Sequence, residues 1–217
     1  MLGILLCNTF AVNLSIISII SYVLLYTNSK DIVGKHAICR SFSTIHALFT
    51  SILSVLVVYG VYIPHSLYYF SIAYYLADSI IHIHKCQKTS VVSEAPMIIH
   101  HLIQLLYEGY AIIYNPADLL AFYYLNRILL SEISVIPLNA IWYYRTIDVN
   151  NKRALTISGV MLVITYFLSR IVNLTSLMIE ARGTSMMSLS YFAILPLFFN
   201  YMWFYKIIKG FIQHIIH

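Results

Sequence analysis

Charge is what this chain most lacks. Of its 217 residues only 10% are Asp, Glu, Lys or Arg, while 60% are hydrophobic and the mean hydropathy is +0.81. Soluble domains carry about 25% charged residues. Most of this chain therefore has no aqueous surface to cover, which excludes a water-soluble globule. Cysteine is scarce as well. Cys7, Cys39 and Cys86 make no disulfide framework. Unmodified thiols are expected, although Cys39 and Cys86 fall near the expected membrane edges, where palmitoylation occurs. The seven glycines build neither a Gly-rich phosphate loop nor a Gly-x-Ser-x-Gly elbow. The formal charge is +5, but the basic residues are dispersed over several loops and form no stripe, so nucleic acid is excluded as a partner. There is no internal repeat, no low-complexity tract and no soluble domain.

What remains is an all-α membrane protein. A span needs about 20 mostly apolar residues, and seven segments qualify: 2–26, 38–59, 65–84, 97–114, 118–144, 154–178 and 188–208. The third and fourth are the most polar. Short links such as Asn115-Pro116-Ala117 separate them. Residues 2–26 carry no charge. They lack the basic n-region and small-residue cleavage site of a signal peptide, and read as a first transmembrane helix. Basic residues set the expected orientation. Lys30, Lys35, Arg40, Lys85, Lys88, Arg145, Lys152, Arg153, Lys206 and Lys209 fall on one side, and Arg182 alone on the other. The positive-inside rule then puts the N-terminus in the lumen or outside and the C-terminus in the cytosol. Nineteen tyrosines suit membrane interfaces and polar cavity walls. Pro137 and Pro196 lie inside spans and are expected to kink them, for packing or around a cavity. The sequons Asn13-Leu14-Ser15 and Asn173-Leu174-Thr175 lie within spans and should carry no glycan.

Five ionisable residues fall inside the spans: Asp78, Glu108, Arg127, Glu132 and Arg170. Each costs roughly 2.5–3.5 kcal/mol at the bilayer centre on insertion scales. A shared polar interior in which acids and arginines pair is the economical solution, with the pairing left open. Such a network either only orients helices or lines a substrate site.

His100 and His101 stand side by side in the apolar run Met97-Ile98-Ile99-His100-His101-Leu102-Ile103. Adjacent helical residues point about 100° apart, so the two cannot face one spot equally. His100 shares a face with Gln104 and Tyr107, and His101 with Gln104 and Glu108. Asp78 and His82 are four residues apart, a spacing at which carboxylate meets imidazole. Imidazole serves as general base or nucleophile near neutral pH, and an acyl thioester arriving from the cytosol would meet these groups first. The competing reading is a pair of histidines at home in the headgroup zone. Metal chemistry fares worse. His82-x-His84 with His100-His101 gives too few ligands for a di-iron centre, and a zinc site lacks a third ligand at motif spacing. No metal and no cofactor are expected.

Several local strings then coincide in order: Arg40-Ser41-Phe42-Ser43-Thr44-Ile45-His46-Ala47, Tyr74-Tyr75-Leu76-Ala77-Asp78, Ile98-Ile99-His100-His101, Ser131-Glu132-Ile133-Ser134-x-x-Pro137-x-Asn139, and Phe167-x-x-Arg170. Together they resemble the TLC domain of ceramide synthases and small TLC domain-containing proteins, most of all the transmembrane protein 56 type, also called the TLC domain-containing protein 4 type. The likeness covers roughly residues 36 to 210. It implies six helices in a barrel around a polar cavity, preceded by one N-terminal helix, in the endoplasmic reticulum. The division is then an N-terminal helix and loop (1–35), a TLC domain (36–210) and a short cytosolic tail (211–217). In ceramide synthases the paired histidines move a fatty acyl group from acyl-CoA to a sphingoid amine, and His100 and His101 match that pair. A His-Asp-x-x-Asp pattern on the next helix is not matched. The stretch here is Tyr124-Leu125-Asn126-Arg127-Ile128-Leu129-Leu130-Ser131-Glu132, and Glu132 belongs to the motif of the small TLC proteins, for which roles in lipid homeostasis are implied.

The expectation is a protein of lipid homeostasis that binds a lipid or acyl chain. The alternative is an acyl-CoA-dependent N-acyltransferase, and a transporter or receptor is a minor option. Expected catalytic residues are His100, His101 and Asp78. Expected substrate-binding residues are Arg40, His46, His82, Gln104, Arg127, Glu132 and Arg170. Membrane lipids, with a fatty acyl chain or acyl-CoA, are the expected partners.

Overall fold

The computed structural model describes residues 2–61, 63–86, 91–114, 117–184 and 187–216, with side chains from residue 11 onward except those of 86, 91–93, 114, 187–193, 195 and 214–216. Lys88, Asn115, Pro116 and the side chains of Cys7 and Cys86 lie outside it. Among the described residues all regular structure is helical. The helices are α1 (Leu2–Asn28), α2 (Ile32–Val58), α3 (Tyr69–Cys86), α4 (Val91–Glu108), α5 (Leu119–Leu129), α6 (Val135–Thr146), α7 (Lys152–Tyr166), α8 (Asn173–Glu180) and α9 (Met187–Ile216). Short irregular turns fuse several of them. A 3-10 turn (His65–Tyr68) leads into α3, and a π turn (Gly109–Tyr114) extends α4. A second 3-10 turn (Leu130–Ser134) joins α5 to α6, and a second π turn (Phe167–Val172) joins α7 to α8. The result is a helical segment over each of the seven expected spans.

Local chemistry sets the helix ends. Asp31 accepts from the backbone N–H of Gly34, Asp118 from that of Ala121 (3.0 Å) and Asn151 from that of Ala154 (3.1 Å). Each is an N-cap satisfying a donor that the first turn leaves unpaired. Gly60 and Gly183, just past α2 and α8, adopt φ of 83° and 82°, a left-handed conformation that a Cβ disfavours. Pro137 tightens its helix rather than breaking it. It can give no hydrogen bond to the carbonyl of Ile133, and the turn before it winds as 3-10 within a helix continuous over Leu119–Thr146.

Among the described residues, four helices are long and apolar enough to cross a membrane: Ala11–Asn28, Ile32–Val58, Leu119–Thr146 and Lys152–Glu180. Polarity is inverted relative to a soluble fold. On α3, Ile80 and Ile83 are exposed while Ser71, Asp78 and Ser79 are buried; on α4, Leu102 and Leu106 are exposed while His101, Gln104 and Glu108 are buried. Apolar residues outside and polar residues inside suit a hydrocarbon solvent, in which every polar group needs an internal partner. The chain is an all-α integral membrane protein.

The chain divides into two compact units, residues 1–46 with 59–125, and residues 47–58 with 126–217. In the first, α3 packs against both α1 and α4. In the second, α7 packs against α6 and α9, over an apolar core of Leu162, Tyr166 and Ile171 backed by Ile141, Trp203, Phe204 and Ile207.

Candidate functional site

In the first unit the polar faces of α3 and α4 meet inside the protein. Asp78 is its hub. Carboxylate oxygen Oδ1 accepts from the hydroxyl of Tyr22 on α1. Oδ2 lies 3.4 Å from His82 Nε2 and 3.6 Å from His101 Nε2. These are electrostatic contacts; 3.6 Å is too long for a hydrogen bond. The Nδ1–H of His82 donates to Glu94 Oε2 at 2.6 Å, and this turns Nε2 toward Asp78. Tyr22 is fully buried, with its ring stacked on Phe42 of α2 (4.5 Å between centroids) and parallel to Tyr74 (6.3 Å).

The two adjacent histidines part company. His101 is 2% exposed, its ring 5.3 Å from Tyr75 and 5.8 Å from His82. His100 is half-buried, edge-on to Tyr75 at 6.4 Å. The 100° between neighbouring helical positions forces this choice, and His101 falls on the face that also buries Gln104 and Glu108.

Further along the same two helices lies a second cluster. The hydroxyl of Ser71 donates to Glu108 Oε1 at 2.5 Å, and its oxygen faces His46 Nε2 at 2.8 Å. Because Ser71 spends its proton on Glu108, Nε2–H of His46 is the donor in the second contact, which assigns that tautomer. All three residues are fully buried. Tyr74 stacks on the His46 ring at 4.1 Å, and Tyr75 meets it edge-on at 4.7 Å. The two clusters stand seven residues apart on each helix, from Asp78 to Ser71 and from His101 to Glu108. That is about 10.5 Å at 1.5 Å rise per residue. Gln104, 3% exposed, lies between them.

The expected residues of the second unit are built differently. Arg170, in the π turn, donates through Nε to Ser134 Oγ (2.8 Å) and to the carbonyl of Ser131 (3.2 Å), and through Nη1 to Asn200 Oδ1 (3.4 Å). Its Nη2 lies 3.6 Å from Glu132 Oε1, and its guanidinium stands 5.4 Å from the centre of the Tyr166 ring. Tyr166 also donates to Asn200 Oδ1 (2.9 Å). Arg127 donates to Asn173 Oδ1 (2.6 Å) and Ser176 Oγ (2.7 Å) and pairs with Glu180 at 3.3 Å. Glu180 is 44% exposed, so this pair lies at the surface.

Of the five intramembrane ionisable residues, then, Arg170 and Glu132 pair with one another. Arg127 takes an acid outside that set, and Asp78 is held by a tyrosine and two histidines. Asp78, His82 and His101 come together, with His100 at their edge. His46 joins Ser71 and Glu108 instead. Arg40 is half-buried on α2, its carbonyl accepting from Thr44 (2.8 Å). Asn173 of the second sequon is buried and donates to the carbonyls of Arg127 (2.6 Å) and Ser169 (3.2 Å). Tyr22, Ser71, Glu94, Asn173 and Asn200 were not expected at these positions. Glu94 carried a signal, being seven residues before His101 on one helical face. Tyr22 carried none, as one tyrosine among nineteen. Among the described residues, no three His, Cys, Asp or Glu side chains are placed to hold a metal ion.

Membrane-length helices, an apolar exterior and a buried acid–imidazole face define a multi-pass membrane protein with an internal polar site. Its family follows from comparison with known domain families: the TLC domain model matches residues 9–209, and the chain belongs to that family. Comparison with curated proteins and comparison with solved structures each give no match. Membership associates the protein with lipid-related function.

Proposed function

We propose that this protein acts in lipid homeostasis by binding a lipid or acyl chain against the polar face that α3 and α4 share. The observation that carries this reading is the buried run His101–Gln104–Glu108, facing Asp78 and Ser71, inside a unit whose exterior is apolar. Intramembrane ionisable residues that face inward mark substrate paths more often than chance. The ligand comes from the membrane, and the endoplasmic reticulum is the proposed location, with the N-terminus lumenal and the C-terminus cytosolic, as the basic residues suggest. Membrane lipids are the proposed partners.

A second reading, an acyl-CoA-dependent acyltransferase, draws on one specific contact. Asp78 beside His101 resembles the orienting carboxylate of a general-base histidine. In this reading His101 attacks the thioester carbonyl, expelling the CoA thiolate before the acyl group passes to the lipid amine, or it takes the proton of the amine as that amine displaces the thiolate directly, and Asp78 holds the imidazole. His100, half-buried, lines the approach.

Mass spectrometry of protein purified in mild detergent tests both. A lipid that co-purifies without covalent attachment, and is depleted in His101→Ala, supports binding. An acyl group covalently attached to His101 supports the transferase. Protein that is folded and free of lipid in every preparation would overturn the first reading.

A further inference from the structure

We infer that the lipid bound in the first unit carries a hydroxyl or amide N–H donor at its polar end, and that Gln104 receives it. The inference rests on the lipid-binding reading above. The side-chain oxygen Oε1 of Gln104 is buried and receives no hydrogen bond from the described residues. An orphan buried acceptor costs about 1–3 kcal/mol, and native proteins keep few of them. Four serines, Ser51, Ser54, Ser66 and Ser79, also bury hydroxyls with no partner among the described residues. A serine hydroxyl rotates and bonds its own helix backbone at little cost. Gln104 has no such outlet. Its oxygen only accepts, and in the middle of α4 the backbone N–H groups are committed to the helix. The donor has to come from outside the helix.

The surroundings define what brings it. His101 and Glu108 lie one turn to either side. Asp78 stands opposite His101, and Ser71 opposite Glu108. In this antiparallel register Gln104 falls level with Tyr74 and Tyr75, whose rings already pack on His46. Aromatic rings at that level suit a flat neutral group such as an amide. From His101 to Gln104 is about 4.5 Å along the helix axis, so one end of a small polar head reaches Gln104 while the other meets His101. A neutral donor satisfies Oε1 without bringing a charge into a desolvated site.

The test uses two probes that differ only in the donor: hexadecanamide, with its N–H₂, and N,N-dimethylhexadecanamide, with none. Binding to the full-length protein in detergent is measured by native mass spectrometry. Wild type should bind hexadecanamide about ten-fold more tightly than the dimethyl compound, the worth of one buried hydrogen bond. Gln104→Met and Gln104→Leu remove the acceptor and keep an apolar side chain of similar size. Either variant should bind both probes equally. Equal binding of the two probes by wild type, or a preference that survives both substitutions, overturns the role of Gln104 and leaves lipid binding standing. Failure of folded wild type to bind either probe overturns the lipid-binding reading as well.

Discussion

The two units solve the same problem, polar groups inside a membrane protein, in opposite ways. The second unit spends arginine. Arg170 is met by a hydroxyl, a backbone carbonyl, a side-chain amide, a carboxylate and an aromatic face, and the 3-10 turn (Leu130–Ser134) supplies the hydroxyl, the carbonyl and the carboxylate. A guanidinium offers donors in a rigid fork, and here Nε and Nη1 donate to the protein itself while Nη2 faces a carboxylate. The first unit uses groups that both give and take protons. Its carboxylates meet tyrosine, histidine and serine, and Gln104 keeps an acceptor with no donor among the described residues. A cation engaged by the protein from several sides orients helices. A face of imidazoles, hydroxyls and an open acceptor is suited to a ligand.

This contrast breaks first at Arg170. Arg170→Leu removes the cation that Glu132 faces and the donor to the acceptors around it, and removing one partner of a buried pair costs about 3–5 kcal/mol. Thermal unfolding in detergent should show the largest loss of any substitution considered, and a variant as stable as wild type would remove the structural role assigned to the second unit. Tyr22→Phe comes next. It keeps the ring stack on Phe42 and deletes only the bond to Asp78, so it should cost about 1.5–3 kcal/mol if that carboxylate is ionised. In an Asp78→Asn background the same change should cost less, a coupling that a double-mutant cycle measures directly. Gln104→Met should be neutral or stabilising by up to about 1 kcal/mol in lipid-free protein, because it removes an orphan acceptor. A clear destabilisation would mean that the amide is a structural element. The smallest effect belongs to Glu180→Gln. Its pair with Arg127 is exposed at one end, and such pairs contribute about 0–1 kcal/mol.

Much of the architecture was legible because hydrophobicity alone dictates it. Each of the seven apolar segments is helical. The helix starts were not legible: α2 begins at Ile32, capped by Asp31, rather than at 38, and α4 begins early as well. Glu94 looks like the charge that ends a loop, yet it is helical and pairs with His82, so the helix begins at Val91 rather than at 97. Within the site, the pairing of Asp78 with His82 follows from four-residue spacing. The choice of His101 over His100 does not follow, because it depends on how α4 is rotated against α3. The partners of the arginines stayed hidden for a similar reason: Arg170 finds Ser131, Ser134 and Asn200 through tertiary packing, with no spacing rule to announce them. Tyr22 shows the limit most clearly. The hydroxyl that holds the hub carboxylate comes from α1, the helix that the motif strings left outside the domain.

The most direct measurement is photo-crosslinking with a diazirine-bearing palmitoyl amide, followed by peptide mapping of the labelled protein with and without excess unlabelled hexadecanamide. The account predicts competable labels on α3 and α4 near residues 71–82 and 101–108, reduced in His101→Ala. Competable labels confined to residues 131–173, or labels that no excess of ligand displaces, would contradict it.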